Sequence, residues 1–186
     1  SARGFDFAKA IYADCGNKDV QDVLAGVDYL VQQGIADPER MGVGGWSYGG
    51  ILTNYVIASD TRFKAAISGA GASNSFASYG FDQYSREYEL ELGTPWANEE
   101  AYERVSYPFL HADKIKTPSL FQCAELDYNV PCLGAMQMYQ ALSSLNVPTQ
   151  LVVYPDQHHG ISVPSYLEDR LQRNIEWYTR YLSLER

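Results

Sequence analysis

Residues 40–58 read RMGVGGWSYGGILTNYVIA, and this stretch decides the fold class of the chain. Its centre, GWSYG at residues 45–49, is a G-x-S-x-G pentapeptide. Residues 40–44 predict a short buried strand and residues 50–58 predict a helix, the context in which such a pentapeptide forms a nucleophile elbow. The sharp turn strains the serine backbone and raises the Ser47 hydroxyl above the sheet. Glycines two positions before and two positions after the serine are expected to let strand and helix approach closely.

A serine hydroxyl is a weak nucleophile unless a base accepts its proton, so a histidine and an acid should follow in the chain. The histidines are His111, His158 and His159. His158 and His159 follow a strand predicted at residues 149–154 and precede a glycine, which suits a general base. His111 is expected at a helix start or on a loop surface. The residues alone leave His158 and His159 as alternatives for the base.

The acid is expected between the serine and the histidine, because α/β-hydrolases carry the three groups in that chain order. Asp127 and Glu125 both follow a short apolar strand that begins near residue 118. Asp156, beside the histidine pair, is interpreted as a loop residue. Serine, acid and histidine would then all project from the carboxyl ends of strands, where open α/β sheets place their sites.

Several segments together resemble the prolyl oligopeptidase family of serine peptidases, most closely its acylaminoacyl-peptidase and dipeptidyl-peptidase-like branches. They are GWSYGG at 45–50, AELDYNVP at 124–131, YPDQHHGI at 154–161, DVQDVL at 19–24 and IKTP at 115–118. The resemblance covers almost the whole chain and implies an α/β-hydrolase fold, a mostly parallel sheet with helices on both faces. In the family the catalytic histidine directly precedes Gly-Ile or Gly-Phe, and the acid precedes an Asn-Val-Pro-like stretch by one residue. The resemblance therefore implies a triad of Ser47, Asp127 and His159.

The resemblance also implies where the oxyanion and the substrate are held. The backbone N–H of Tyr48 is expected to donate to the oxyanion. Family positions for the specificity pocket fall on Phe76, Tyr79 and Val130, near the Tyr48 side chain, and Asn129 is expected to hydrogen-bond a substrate carbonyl. Ordinary packing is an equally good interpretation of each aromatic residue. A pocket lined in this way would favour an apolar or aromatic residue beside the scissile bond.

The expected activity is cleavage of short peptides or acyl-peptides through an acyl-enzyme. A carboxylesterase-type acyl hydrolase and a catalytically incompetent piece of a larger peptidase are the alternatives. The chain begins at a segment that resembles the interior of the family's hydrolase domain, so the N-terminal strands and the loop that supplies a second oxyanion donor are expected to be missing. Loss of such a donor typically costs about 10²–10³-fold in rate. A sheet cut there would expose an unpaired strand edge, which predicts a homo-oligomer or a partner chain that completes the sheet.

Composition predicts one domain over residues 1–186, with hydrophobic residues at 46%. A net charge of −9 and a pI of about 4.7 argue against nucleic acid or an anionic membrane as partner. No apolar run approaches the about 20 residues that cross a bilayer. Neither a zinc-like Cys/His cluster nor a phosphate-binding glycine loop is present, so no metal and no cofactor is expected. The odd number of cysteines, Cys15, Cys123 and Cys132, favours free thiols and a reducing, cytoplasmic compartment.

Hydrophobic spacing and turn residues predict the remaining elements. Beyond the strands already given, they are an amphipathic helix at 19–33, a strand at 63–68, a helix at 133–145 and a closing helix at 165–184. Residues from about 71 to 112 interrupt this alternation and contain helical pieces at 84–92 and 99–105. We interpret them as an excursion over the active site. The alternation of strands and helices elsewhere predicts a parallel sheet.

Overall fold

The computed structural model describes residues 3–183. Its strands are β1 (Gly42–Trp46), β2 (Ala65–Gly69), β3 (Ser119–Ala124) and β4 (Thr149–Tyr154). Its helices are α1 (Phe5–Lys9), α2 (Lys18–Gln32), α3 (Tyr48–Ser59), α4 (Ser75–Ser78), α5 (Ser85–Leu92), α6 (Glu99–Arg104), α7 (Tyr107–Leu110), α8 (Cys132–Ser144) and α9 (Pro164–Leu182), with a 3₁₀ turn at Ala112–Lys114.

The four strands form one sheet in the order β1-β2-β3-β4, and every neighbouring pair is parallel. Strands β2, β3 and β4 therefore each pair with the strand before them in the chain, and all four carboxyl ends lie at the same edge of the sheet. The register aligns Trp46 with Gly69, Gly69 with Gln122, and Ala124 with Tyr154. The parallel sheet predicted from the alternation of strands and helices is confirmed.

Helices cover both faces of this sheet. On one face Ile67 of β2 packs against Trp177 of α9. On the other face Phe121 of β3 packs in a larger cluster with Ile57 of α3 and Met138 of α8. Alternate strand residues point to opposite faces, and the two central strands, β2 and β3, are buried along their whole length on both faces. Within residues 3–183, no helix combines the length and hydrophobicity that crossing a bilayer requires.

Most predicted elements are confirmed to within one or two residues at each end. The elbow strand differs most, because it spans 42–46 instead of 40–44. Pairing with β2 sets these bounds, since the ladder begins at Gly42 opposite Ala65. The predicted last residue of the closing helix, Leu184, lies outside the described residues, as do the first two residues of the predicted domain.

The prediction of three free thiols is wrong. Cys123 and Cys132 form a disulfide, and Cys15 alone is a free cysteine within residues 3–183. Cys123 lies near the end of β3 and Cys132 is the first residue of α8, so the intervening loop brings their Cα atoms to 5.2 Å. An odd count predicts an unpaired thiol but does not identify a pair. The cysteines therefore no longer favour a reducing compartment.

The predicted excursion corresponds to the segment between β2 and β3, which carries α4 to α7 and the 3₁₀ turn. Gln83 connects this segment to the loop that follows β3. Its backbone N–H donates to the Tyr128 carbonyl oxygen, and its side-chain amide donates to Asn129 Oδ1. The excursion thus contacts the carboxyl edge of the sheet. That it covers the active site stays a prediction, as does the single domain over the whole chain.

Candidate active site

Ser47 lies between the last residue of β1 and the first residue of α3. Its φ of 60° and ψ of −125° place a non-glycine residue at positive φ, which typically costs about 1–3 kcal/mol. The Ser47 N–H donates to the Gly69 carbonyl oxygen at 2.9 Å, so the turn is tied to the end of β2. The strained turn ends the strand abruptly and leaves the Ser47 hydroxyl at the carboxyl edge of the sheet.

Glycines make this turn possible, but only one of the two expected glycines, Gly45 and Gly49, lies at a close approach of strand and helix. A Cβ on Gly45 would lie 2.5 Å from the Gly49 carbonyl carbon, so strand and helix do meet at the position two before the serine. A Cβ on Gly49 would meet nothing within 4 Å. The closest approach after the serine is instead at Gly50, where a Cβ would lie 2.2 Å from the Gly69 carbonyl oxygen.

We expect Gly50→Ala to lower the free energy of unfolding by about 1–3 kcal/mol, because the added methyl group meets backbone atoms that cannot rotate away. Gly49→Ala is the matched control on the same helical turn. It should leave stability unchanged or raise it by up to about 1 kcal/mol, because alanine is the better helix former. Denaturant unfolding of both variants measures the difference, and equal stabilities would contradict this account of the elbow.

Three side chains from distant parts of the chain form one hydrogen-bonded row. The Ser47 Oγ lies 2.8 Å from His159 Nε2, and His159 Nδ1 lies 2.7 Å from Asp127 Oδ2. Asp127 follows β3 and His159 follows β4, so each side chain is carried by the loop after a different strand. The structure thus brings together the three residues predicted as a triad.

The surroundings of Asp127 orient the row. Its side chain is fully buried, and its Oδ1 accepts hydrogen bonds from the backbone N–H groups of Asn129 and Val130, both at 2.9 Å. These two bonds fix the carboxylate and leave Oδ2 for His159. A carboxylate accepts a proton-bearing nitrogen, so Nδ1 of His159 carries the hydrogen and Nε2 is the ring nitrogen that can accept from the Ser47 hydroxyl.

The other two histidines have different partners. His158 is exposed, and its Nδ1 donates to the Leu126 carbonyl oxygen at 2.9 Å. His111 directly follows α7, and its ring stacks on Tyr107 with centroids 4.0 Å apart. Neither imidazole forms a hydrogen bond with Ser47 in the described part of the chain. Of the two alternatives that the residues left open, His159 is the histidine that forms a hydrogen bond with Ser47.

The other two acidic residues considered, Glu125 and Asp156, are not part of the hydrogen-bonded row within residues 3–183. Glu125 Oε2 accepts the backbone N–H of Asp156 at 3.0 Å, which joins the loops after β3 and β4. Asp156 has a φ of 54° and occupies a turn, as expected for a loop residue. These contacts hold together the two loops that carry Asp127 and His159.

Trp46 was not predicted to contribute to the site, yet it contacts the histidine directly. Its indole N–H donates to the His159 carbonyl oxygen at 3.0 Å, and the Arg170 guanidinium lies 4.7 Å from the centroid of its ring. The residue before the serine thus holds the loop of the histidine, and α9 holds that residue in turn. The tryptophan within the pentapeptide was the only sequence signal for this contact.

The backbone N–H and the phenol of Tyr48 have different surroundings. It is the first residue of α3, where the helix cannot satisfy a backbone N–H, so this group is available to an anion. Its phenol donates to Asp19 Oδ2 at 2.6 Å and lies 3.3 Å from the Cys15 sulfur. Burial, followed by the bond to Asp19, raises the pKa of the Tyr48 phenol, and burial raises the pKa of the Cys15 thiol to about 11. Both groups are therefore protonated at neutral pH.

A cavity of about 510 Å³ adjoins Tyr48. Its walls are mostly apolar. They include Tyr48, Ile51 and Tyr55 from α3, and Glu87, Tyr88 and Glu91 from α5. Small side chains of α4, Ser75 and Ser78, form another part of the wall. No group of three or more potential metal-ligating side chains occurs within residues 3–183.

The other residues predicted for the substrate pocket do not line this cavity. The Phe76 ring packs on Tyr102, with centroids 5.4 Å apart, and the Tyr79 ring meets Tyr102 edge to face at 6.1 Å. Asn129 accepts a hydrogen bond from the Gln83 side chain, and Val130 is buried. Their proposed contacts with a substrate stay predictions.

Comparison with known proteins identifies relatives along almost the whole chain. The family model described as "Prolyl oligopeptidase family" matches residues 1–185. The uncharacterized peptidase YuxL of Bacillus subtilis is 31% identical over 96% of this chain and 28% of its own length. The uncomplexed acylaminoacyl peptidase of Pyrococcus horikoshii superposes with a TM-score of 0.88 at 31% identity, covering 95% of this chain and 30% of that one. An acylaminoacyl peptidase in complex with Z-Gly-Gly-Phe-chloromethyl ketone gives a TM-score of 0.88 at 30% identity, covering 97% of this chain and 30% of that one.

These matches confirm the α/β-hydrolase fold. They also show that the chain spans less than a third of the length of these relatives. Its four-stranded sheet corresponds to a part of a longer peptidase chain in each of them.

Proposed function

Because this chain belongs to the prolyl oligopeptidase family, we propose that it acts as a serine peptidase on short peptides or acyl-peptides through an acyl-enzyme. The observation that supports this proposal best is the row from Ser47 Oγ through His159 to Asp127, with distances of 2.8 and 2.7 Å. These distances are within the range for proton transfer along a nucleophile, a base and an orienting acid.

In the first stage Ser47 Oγ attacks the substrate carbonyl carbon, and His159 Nε2 accepts the hydroxyl proton. Asp127 orients the ring and stabilises the imidazolium that forms. Its bonds from Asn129 and Val130 keep the carboxylate in place without reorganisation during the reaction. The Tyr48 backbone N–H donates to the oxyanion as negative charge develops on the carbonyl oxygen.

In the second stage His159 donates its proton to the leaving amine, and the carbon–nitrogen bond breaks. Ser47 then carries the acyl group as an ester. His159 next accepts a proton from a water molecule that attacks this ester, and returns a proton to the Ser47 oxygen when the acid leaves. The cycle restores both residues.

Peptide substrates are supported by the relatives. One of the similar acylaminoacyl peptidases is known in complex with a peptide chloromethyl ketone. The cavity is lined by Tyr48, the residue after the reacting serine, and it is a concave, mostly apolar space of a size that commonly holds small ligands. We propose that this cavity receives part of the substrate.

Reaction with a fluorophosphonate probe tests the proposal. We expect covalent labelling of the chain, with the adduct located by mass spectrometry on Ser47. Hydrolysis of an acyl-amino-acid anilide, compared with a short-chain nitrophenyl ester, then separates a peptidase from a carboxylesterase-type hydrolase. An unlabelled chain, or an adduct on another serine, would contradict the proposed nucleophile and favour a catalytically incompetent piece of a peptidase.

We further propose that another polypeptide pairs with β1. This strand forms one edge of the sheet within residues 3–183, and an edge strand presents N–H and C=O groups to another strand. A second copy of the chain or a partner chain would satisfy them. Size-exclusion chromatography with light scattering should then give a mass above that of one chain, and a clean monomer would count against self-association.

A further inference from the structure

The cavity adjoins Tyr48, the residue that follows the reacting serine. Tyr48, Ile51 and Tyr55 of α3 line it, whereas no lining residue comes from the loops that carry Asp127 and His159 in the described part of the chain. In the proposed reaction His159 donates a proton to the leaving amine, so the leaving group must lie beside His159. A cavity that adjoins Tyr48 and is lined by neither of these loops is the candidate for the substrate residue whose carbonyl is attacked.

Its walls suit a long side chain with an apolar stem. The volume of about 510 Å³ is sufficient for a side chain of any type. Aliphatic and aromatic groups predominate along the walls. They include Ile11, Ile51, Leu92, Tyr12, Tyr55 and Tyr84. Methylene groups pack well against such surfaces, and the faces of aromatic rings attract cations.

The tyrosines offer a ligand few hydrogen-bond donors. Four phenols that line the cavity already donate to acceptors within the protein. They are Tyr48 to Asp19 Oδ2 at 2.6 Å, Tyr55 to the Val105 carbonyl at 2.6 Å, Tyr88 to Asp82 Oδ2 at 2.7 Å and Tyr12 to the Leu90 carbonyl at 2.8 Å. Burial raises the pKa of Tyr48, Tyr55 and Tyr88, which keeps these hydrogens in place at neutral pH. These oxygens can then only accept.

The charged residues of the wall also favour a ligand that donates hydrogen bonds. Glu87 and Glu91 lie one turn apart on α5, and both line the cavity. Glu91 Oε1 accepts the Ala13 N–H at 2.7 Å, and its second oxygen is a further acceptor. Lys9 is the one cation of the lining, and its ammonium lies 4.8 Å from the centroid of the Phe5 ring. The lining thus contains two acidic residues and one basic residue.

We propose that this cavity binds the basic side chain, lysine or arginine, of the substrate residue whose carbonyl Ser47 attacks. The proposal rests on the function proposed above. The stem of the side chain packs against the tyrosine and isoleucine walls, and its charged end donates to Glu87 and Glu91. A neutral side chain of equal length makes the same apolar contacts but gains nothing from the carboxylates.

Binding to the Ser47→Ala variant tests this preference without any reaction. The probes are acetyl-alanyl-lysine methylamide and its norleucine analogue, which has a similar length and no charge, each titrated by NMR. We expect the lysine peptide to bind about five- to tenfold more tightly at low ionic strength, the scale of partly exposed ion pairs. Salt at about 0.5 M should reduce this ratio, because it screens exposed charges.

Glu87→Gln combined with Glu91→Gln, in the same background, should remove the preference and leave norleucine binding unchanged. Glutamine keeps an oxygen that accepts the Ala13 N–H, so the fold around α5 is retained. Glu100→Gln on α6, which does not line the cavity, is the control with the same kind of charge change. Equal affinities for the two peptides, or a preference that survives the double substitution, would overturn the proposal.

Turnover by the wild-type chain separates this proposal from the proposed function. Lysyl and norleucyl anilides should both be hydrolysed, with a higher kcat/KM for the lysyl substrate. Equal hydrolysis of the two substrates would reject the basic preference while leaving the peptidase activity intact. If neither anilide is hydrolysed, the proposed activity fails, and the binding titrations still decide whether the cavity prefers the basic side chain.

Discussion

Replacing His159 with alanine is expected to lower kcat/KM by about 10⁶-fold, the scale seen when a serine hydrolase loses its nucleophile or its base. The substitution removes the acceptor 2.8 Å from Ser47 Oγ, and it leaves Asp127 Oδ2 without its donor. No other imidazole of the described residues bonds to Ser47. Steady-state hydrolysis of an acyl-amino-acid anilide measures the loss, and circular dichroism checks that the variant folds.

His158→Ala is the matched control, because the two histidines are adjacent in the chain and carried by the same loop. The His158 ring is exposed and donates to the Leu126 carbonyl oxygen rather than to Ser47. Its removal should change kcat/KM by no more than about threefold, because substitutions of exposed side chains usually have small effects. A loss at His158 as large as that at His159 would reverse the assignment of the base.

Asp127→Asn is expected to lower kcat by about 10⁴-fold with little change in KM. The asparagine oxygen can still accept from Asn129 and Val130, but its amide group then presents a donor to His159 Nδ1. The imidazole must accept at Nδ1 and carry its hydrogen on Nε2. In that tautomer the ring cannot accept the Ser47 proton, although every residue of the row is still in position.

Glu125→Gln provides the comparison for this substitution, since Glu125 lies two residues before Asp127 on the same loop. Its carboxylate accepts the Asp156 N–H, a bond that the glutamine oxygen can also make. We expect kcat to change by no more than about threefold. A kcat loss for Asp127→Asn below about tenfold would show that the acid contributes little to orientation, and would remove it from the proposed mechanism.

The sequence was most informative where structure depends on near neighbours in the chain. β4 spans 149–154 as predicted, and α2, α5, α6 and α8 begin and end within one residue of the predicted bounds. Hydrophobic periodicity and turn residues report which face of a segment is buried, and both are local properties. The residues at the carboxyl ends of β1, β3 and β4 lie at one edge because the sheet is parallel, which the alternation of strands and helices predicted.

Two features of the elbow could not be inferred from neighbouring residues in the chain. They are the bounds of β1 and the identity of the glycine at which strand and helix pack most closely. The first depends on pairing with β2, and the second depends on where the Gly69 carbonyl oxygen lies relative to Gly50. The disulfide between Cys123 and Cys132 depends on how the loop after β3 returns to α8. Each of these features joins elements whose relative position is set only when the sheet and helices pack.

By itself, the sequence determined that this chain contains a nucleophile elbow in a parallel α/β sheet. Its residues left two possible histidines and two possible acids for Ser47, and the family resemblance implied His159 and Asp127. Only the tertiary structure decided which of them meet. Residues 112 positions apart lie 2.8 Å from each other because three parallel strands end at one edge of the sheet. The tertiary structure also contains a cavity lined by residues of α3 and α5 that no sequence pattern indicated, while the substrate contacts of Phe76 and Tyr79 stay predictions. The reason is that a cavity is the space between packed elements, and its lining has no pattern along the chain.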